Sequence, residues 1–119
     1  MGTNKKILVV DDSMIARMFI VRHIDELYKN WTILEAAGAE AALKILEESS
    51  VDVISIDYNM PGLNGLELAK KIQELYSSVK IALLTANIQD TIRKEAEDIG
   101  LVFLEKPITA EIVKKLVEL

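Results

Sequence analysis

The stretch Ile7-Leu8-Val9-Val10-Asp11-Asp12 places two acidic residues directly after four consecutive apolar ones. A short run that is apolar on both faces is typical of a strand buried inside a parallel sheet. Four further runs of this kind, most of them rich in β-branched residues, occur along the chain. They are Thr32–Leu34, Val51–Ile56, Ile81–Leu84 and Leu101–Leu104. The sequence therefore predicts a sheet of five strands.

Segments with helical spacing alternate with these runs. Their apolar residues step by three or four positions, which is the pattern of a helix with one buried face. Gly100 is expected to end the fourth helix, and Thr109 to cap the start of the fifth, just after Pro107. The repeating sets are Ala16, Ile20, Ile24 and Leu27; Ala69, Ile72 and Tyr76; Ile88, Ile92, Ala96 and Ile99; and Ile108, Ile112, Leu116 and Leu119.

This alternation predicts an α/β fold of the (βα)5 type. Parallel strands that are apolar on both faces need helices on both sides of the sheet, joined by right-handed crossovers. The predicted architecture is a doubly wound sandwich in which residues 1–119 form one domain. Ligands of such folds bind outside the carboxyl ends of the strands.

Composition excludes several functional classes. Half of the 119 residues are hydrophobic and 28% are charged, which excludes a disordered or low-complexity chain. There is no cysteine, so disulfides, zinc-thiolate sites and cysteine nucleophiles are excluded, and a reducing cytoplasm is the expected location. The net charge of −5 argues against direct nucleic-acid binding. Neither a membrane span nor a secretory signal is predicted.

Polar residues follow four of the predicted strands. Because the carboxyl ends of parallel strands share one edge of the sheet, Asp11, Asp12 and Asp57 are expected to converge. Like charges so close need positive partners, which Lys106 and a hard divalent cation such as Mg²⁺ would supply. A single acid after a strand is usually a helix cap, so the prediction rests on all four clusters. The clusters are Asp11 and Asp12; Asp57; Thr85 and Ala86; and Glu105, Lys106 and Pro107.

These residues resemble the receiver domain of two-component response regulators, over the whole chain. In size and layout the chain is similar to the single-domain chemotaxis and sporulation regulators. The resemblance implies a flavodoxin-like parallel sheet with strand order 2-1-3-4-5. It also implies a signalling protein that catalyses only its own Mg²⁺-dependent phosphorylation and dephosphorylation. The matching motifs are Val9-Val10-Asp11-Asp12-Ser13, Asp57-Tyr58-Asn59-Met60-Pro61-Gly62-Leu63-Asn64-Gly65, Leu83-Leu84-Thr85-Ala86 and Lys106-Pro107.

By this resemblance, Asp57 accepts a phosphoryl group from a phosphohistidine on a sensor histidine kinase or a phosphotransfer protein. The transfer has a loose transition state, so positioning and charge neutralisation matter more than the basicity of the carboxylate. The implied cofactor is Mg²⁺ or Mn²⁺. Its implied ligands are Asp12 and Asp57 directly, Asn59 through its backbone carbonyl, and Asp11 partly through water.

The resemblance also assigns phosphate-binding and switch residues. Thr85, Ala86 and Lys106 would bind the phosphoryl group through a hydroxyl, a backbone N–H and a charge. Before transfer Lys106 would pair with Asp57; the isomer of the bond to Pro107, often cis in the family, stays open. Phe103 is implied to rotate inward when Thr85 moves, although a core aromatic reading of it is equally open. Residues 88–119, the fourth helix to the fifth, would form the output surface.

Three alternatives stay open at this point. A dehalogenase-type phosphatase would need Asp-x-Asp-x-Thr after the first strand, which Asp11-Asp12-Ser13-Met14-Ile15 does not match. A flavodoxin-like cofactor binder would need a phosphate-cradling loop there, which two carboxylates oppose. The third is a receiver-like interaction module that is not phosphorylated. Because the sequence stops at Leu119, output through a downstream protein is expected, from a monomer or a weak phosphorylation-dependent dimer.

Overall fold

The computed structural model describes residues 4–119, and in this part of the chain five strands alternate with five helices. The (βα)5 order predicted from the sequence is confirmed. Met1–Thr3 of the predicted domain lie outside the described residues. The strands are β1 (Lys5–Val10), β2 (Trp31–Ala36), β3 (Val53–Ile56), β4 (Lys80–Thr85) and β5 (Val102–Glu105). The helices are α1 (Met14–Leu27), α2 (Ala39–Glu48), α3 (Gly65–Leu75), α4 (Asp90–Asp98) and α5 (Ala110–Val117).

The strands pair in parallel in the order β2-β1-β3-β4-β5, as the family resemblance implies. Val10 at the end of β1 is in register with Ala36 of β2 on one side and Ile56 of β3 on the other. The chain winds outward from β1 to β2 and then crosses back to β3, so strand order reverses at β1 and β3. The residues that follow these two strands therefore lie at the point where such sheets bind ligands.

The sheet separates two apolar layers. Leu8, Ile54 and Leu83 point to the face covered by α2, α3 and α4. Their strand neighbours Ile7 and Leu84 point to the face covered by α1 and α5. Successive side chains of a strand alternate between faces, so strands covered on both sides have to be apolar throughout. Within residues 4–119, every helix is too short or too polar to span a lipid bilayer.

The fourth helix differs from its predicted extent. Ile92 and Ala96 are buried as the spacing predicts, but α4 begins at Asp90, and Ile88 lies before the helix with 54% of its surface exposed. The Thr85 hydroxyl accepts a hydrogen bond from the backbone N–H of Asn87 at 3.1 Å. Local bonds from side chain to backbone compete with helix formation, which explains the later start of α4.

The ends of the last two helices follow the sequence signals. Gly100 has a φ of +85° just after α4, a conformation that glycine adopts without steric cost. The Thr109 hydroxyl caps α5 by accepting from the N–H of Ile112 at 3.1 Å. Strand boundaries shift slightly from the prediction, since β3 begins at Val53 and β5 runs to Glu105.

Candidate functional site

Three carboxylates meet at the carboxyl edge of the sheet. The backbone N–H of Asp57 donates to Val10 at 3.0 Å and that of Asp11 donates to Ala36 at 3.1 Å, so the strand ladder extends into the site. One carboxylate oxygen from each of Asp11, Asp12 and Asp57 lies within 4.8 Å of the other two. Asp11 and Asp57 are buried, whereas Asp12 is exposed. The structure thus brings together the three acids that the sequence expects to converge.

Lys106 places its ammonium between two of these acids. Its Nζ lies 2.8 Å from Asp11 Oδ2 and 3.6 Å from Asp57 Oδ1. The backbone N–H of Lys106 donates to the carbonyl of Thr85 at 3.0 Å, which fixes the start of the loop after β5. The Lys106–Pro107 peptide bond is cis. The sequence predicts a pair with Asp57, and the structure adds Asp11 as the closer partner because both carboxylates face the same ammonium.

Among the groups of the site, the Asp57 carboxyl has a perturbed pKa. Burial is the largest influence on the pKa of Asp57 and raises it above its ordinary value. The ammonium of Lys106 lowers this pKa, and the charge of Asp11 raises it. Smaller effects come from the Thr85 hydroxyl, whose hydrogen bond lowers the pKa, and from Asp12, which raises it. The raising influences prevail. A carboxyl in this state gains from a proton or a cation nearby, so the pocket is suited to binding positive charge.

Two residues hold Asp11 in place: Arg17, which the sequence analysis missed, and Ser13, which belongs to the predicted motif. Arg17 donates from its guanidinium to the carbonyl of Asp11 at 2.6 Å and pairs through Nε with Glu35 at 3.0 Å. Ser13 caps α1 through its hydroxyl, and its own N–H donates to the Asp11 carboxylate at 2.9 Å. Arg17 comes one helical turn after Ser13, and this spacing is the signal that places its side chain back over the acidic loop.

The loop after β3 is held close to Asp57 by a glycine. A Cβ on Gly65 would lie 2.5 Å from the backbone oxygen of Asp57, and the N–H of Gly65 donates to the carbonyl of Tyr58 at 2.9 Å. Asn64 caps α3 by a reciprocal pair of hydrogen bonds with Glu67, both 2.9 Å long. Asn59 is exposed in this loop, two residues after the acid.

The predicted phosphate-binding and switch residues lie on β4 and β5 or directly after these strands. Thr85 is completely buried at the end of β4, and Ala86 follows it at the surface. In the strand register Thr85 is opposite Glu105, and Phe103 is opposite Leu83. Phe103 is half-buried, packs against the layer that α4 covers, and lies under the guanidinium of Arg93.

Comparison with known proteins gives one consistent result. Residues 7–118 match the family model of the response regulator receiver domain. The chain is 34% identical over 105 residues to the cyclic di-GMP phosphodiesterase response regulator RpfG of Xanthomonas campestris, a match that covers 86% of the chain and 28% of the relative. It is 32% identical over 94 residues to the response regulator UvrY of Escherichia coli, covering 79% of the chain and 43% of the relative.

The chain therefore spans less than half the length of these curated relatives. One solved structure matches the chain over nearly the whole length of both, that of the chemotaxis protein CheY4 of Vibrio cholerae. It superposes with a TM-score of 0.87 at 27% identity and covers 98% of both chains.

Proposed function

Because the chain belongs to the response regulator receiver domain family of two-component signalling, we propose that it is a phosphorylation switch whose acceptor is Asp57. One observation carries this proposal: a nearly buried carboxylate lies among two further acids and the ammonium of Lys106. Such a pocket concentrates negative charge, so it is stabilised when a cation binds, and Lys106 and the cation together can then accept a phosphoryl group. A surface cluster of acids that only solvates the protein would have no buried member.

Asp57 is the acid best placed to act as nucleophile. Its carboxylate oxygen attacks the phosphorus of a phosphohistidine, a new O–P bond forms as the P–N bond breaks, and the electron pair of the broken bond stays on the imidazole nitrogen. Because the transition state of phosphoryl transfer is loose, the protein contributes mainly position and charge. Asp57 is held in position by its backbone bond to β1 and by the close approach of Gly65.

The donor set fits a hard divalent cation. Carboxylate oxygens are the preferred ligands of Mg²⁺ and Mn²⁺, and Asp11, Asp12 and Asp57 each offer one within a small volume. These residues would hold the ion, together with the backbone carbonyl of Asn59, as the family resemblance implies. When bound, the ion would offset the negative charge of the acids and of the phosphoryl oxygens.

Three further residues would bind the phosphoryl group. Lys106 already has its ammonium beside Asp57, so it can pair with phosphoryl oxygens after transfer. Thr85 has its hydroxyl close enough to Asp57 to lower the pKa of that carboxyl. Ala86 offers a backbone N–H with a side chain too small to obstruct the phosphate.

The start of α1 supports a protein as the phosphoryl donor. Met14, Ile15, Met18 and Phe19, here called the α1 patch, are large apolar side chains that are each about half exposed or more. Contiguous apolar residues at a surface mark interaction sites, and methionine adapts well to a partner surface. The patch begins two residues after Asp12, so a partner seated on it would bring its phosphohistidine to the pocket.

Output is proposed to pass through the surface of α4, β5 and α5 to a downstream protein. Thr85 and Phe103 would connect the pocket with this surface, since they lie on the neighbouring strands β4 and β5 and Phe103 packs against the layer that α4 covers. The location in a reducing cytoplasm, and the state of the protein as a monomer or a weak phosphorylation-dependent dimer, stay predictions from the sequence.

Phosphorylation by a small-molecule donor tests the proposal. Acetyl phosphate and MgCl₂ are added to the protein, and its intact mass is measured. We expect a gain of one phosphoryl mass that disappears when magnesium is chelated. No gain would favour the interaction module that is not phosphorylated, and steady hydrolysis of many phosphoesters would favour the phosphatase.

A further inference from the structure

Arg93 fastens α4 to β5 through two contacts of one guanidinium group. Its Cζ lies 4.5 Å from the centre of the Phe103 ring, and its Nη2 donates to Glu105 Oε1 at 2.6 Å. The first contact is a cation–π interaction and the second an ion pair. A planar guanidinium can stack on a ring while its N–H groups donate in the plane, whereas an ammonium makes one such contact at a time.

Both partners of Arg93 lie on β5, the strand that leads into the proposed phosphorylation pocket. Glu105 is in register with Thr85 and immediately precedes Lys106. Phe103 lies on the same strand, two residues earlier, against the layer that α4 covers. A movement of Thr85 or Lys106 would therefore act on Glu105 and, through β5, on Phe103.

Few buried residues hold α4 apart from its contacts through Arg93. They are Ile92 and Ala96; α1 and α2 also bury two residues each, whereas α3 buries five. Moving a helix with few buried apolar side chains away from the sheet costs little free energy. A single additional contact is therefore a large fraction of that cost. An exposed ion pair alone would contribute little, but here the same side chain also covers an aromatic ring.

We propose that Arg93 is a latch that holds Phe103 and α4 in the unphosphorylated arrangement and thereby lowers the affinity of the pocket for a phosphoryl group. This inference rests on the proposed function. The Phe103 ring is half-buried and lies 4.5 Å from the guanidinium, and an inward turn of the ring would take it away from that contact. Contacts made in only one of two states favour that state, and by linkage they oppose any ligand that favours the other.

The affinity for a phosphoryl analogue tests the latch. Beryllium fluoride with MgCl₂ is titrated into the intact chain, and the dissociation constant is measured by calorimetry. We expect Arg93→Ala and Arg93→Gln to bind it about fivefold more tightly than the wild type. Arg93→Lys should fall between them and the wild type. Glu105→Gln should show a smaller gain, since the ring contact persists.

A matched control separates the latch from a general effect of charge. Lys94→Ala removes a cation from the next position of the same helix, which is exposed, and we expect its affinity to equal that of the wild type. A merely structural role of Arg93 would leave the affinity unchanged or weaken it. A gain in affinity despite a lower melting temperature is therefore specific to the latch.

The Phe103 ring gives a second readout. The chain has two phenylalanines, so the ring signals in aromatic NMR spectra are assigned by comparison with Phe19→Leu. In Arg93→Ala without ligand, we expect the Phe103 signals to move part of the way toward their positions in the beryllium fluoride complex of the wild type. Unmoved signals together with unchanged affinities would overturn the latch. Failure of the wild type to bind the analogue or take up a phosphoryl group would instead defeat the proposed function itself.

Discussion

The ionised carboxylate of Asp57 destabilises the folded domain. Burial raises the pKa of this group, and the balance of the charges around it does not restore the ordinary value. A raised pKa means that the folded protein binds the proton more tightly than the unfolded chain does. The contribution of this group to stability is therefore present in acid, and it is lost as the pH rises through the folded-state pKa.

Asp57→Asn should consequently be more stable than the wild type at neutral pH in the absence of divalent ions. The amide is neutral, so it carries no desolvation cost of a charge and is not repelled by Asp11 and Asp12. The difference should vanish below the ordinary carboxyl pKa of about 3.9, where both side chains are neutral. Urea unfolding across this pH range, with a chelator present, measures it. A variant that is less stable at neutral pH, or a difference independent of pH, would contradict this electrostatic account of the pocket.

Lys106 has the opposite effect, because it supplies the charge that the buried acids lack. Lys106→Met should lower the free energy of unfolding by about 1–3 kcal/mol, since Asp11 loses its hydrogen-bonded ammonium and Asp57 loses its ion-pair partner. The exposed Lys44→Met on α2 is the control, and it should change stability by less than about 0.5 kcal/mol. Some phosphorylation by acetyl phosphate should survive in Lys106→Met. Equal stabilities of the two variants would show that the contact carries no energy.

At the scale of elements, the position of α3 depends on the lack of a side chain at Gly65. Gly65→Ala would force its Cβ against the backbone of Asp57 and Tyr58, at 2.5 and 2.8 Å, and backbone atoms cannot move aside as a flexible side chain can. We expect a loss of about 1–3 kcal/mol of stability and slower phosphorylation, as the acceptor shifts with its strand end.

Gly38→Ser is the matched control for that change. Gly38 is the N-cap of α2, a Cβ there would meet nothing within 4 Å, and serine is a favoured N-cap residue. Its stability should be equal to or above that of the wild type. If both glycine variants behave alike in denaturant unfolding, the close approach at Gly65 does not position α3.

The α1 patch should matter only for protein donors. Met18→Glu places a charge in the patch, and we expect it to slow transfer from a phosphorylated histidine phosphotransfer protein by about tenfold or more. Its rate with acetyl phosphate should stay at the wild-type value, because the pocket is untouched. Glu26→Ala, exposed near the other end of α1, serves as the control in both assays. An equal loss with both donors would indicate damage to the pocket instead of a docking defect.

The sequence predicted the helix ends well where the interactions that fix them join residues close together in the chain. Thr109 caps α5 and Gly100 ends α4 through interactions within a few residues. Ile88 was predicted on the buried face of α4 because its spacing fits, yet the turn at Asn87 delays the helix. Hydrophobic spacing alone cannot weigh such a competing hydrogen bond.

At the scale of the whole molecule, the pocket exists only through the topology. Lys106 and Asp11 are 95 positions apart, and the parallel order of the strands brings them to 2.8 Å. The apolar runs predict that strands exist and that their carboxyl ends share an edge, which was enough to expect the acids to converge. They do not determine which strands are neighbours, and the order came only from the family resemblance.

Side-chain partners across the fold were the least predictable feature. Arg17 on the Asp11 carbonyl, Arg93 on Phe103 and the closer pairing of Lys106 with Asp11 each join residues from different elements. Their geometry depends on how the helices sit on the sheet, which residue types and spacing do not specify. The nature of the site was therefore predictable from strand-end residues, whereas its supporting contacts required the structure.

Locating the phosphoryl group on the chain tests the proposed function most directly. After treatment with acetyl phosphate and MgCl₂, borohydride reduction converts an aspartyl phosphate into a stable product that peptide mass spectrometry can place. We expect one modified residue, Asp57, with no product when magnesium is chelated and none in Asp57→Asn. Modification at Asp11 or Asp12 in its stead, or a full yield from Asp57→Asn, would contradict the assignment of the acceptor.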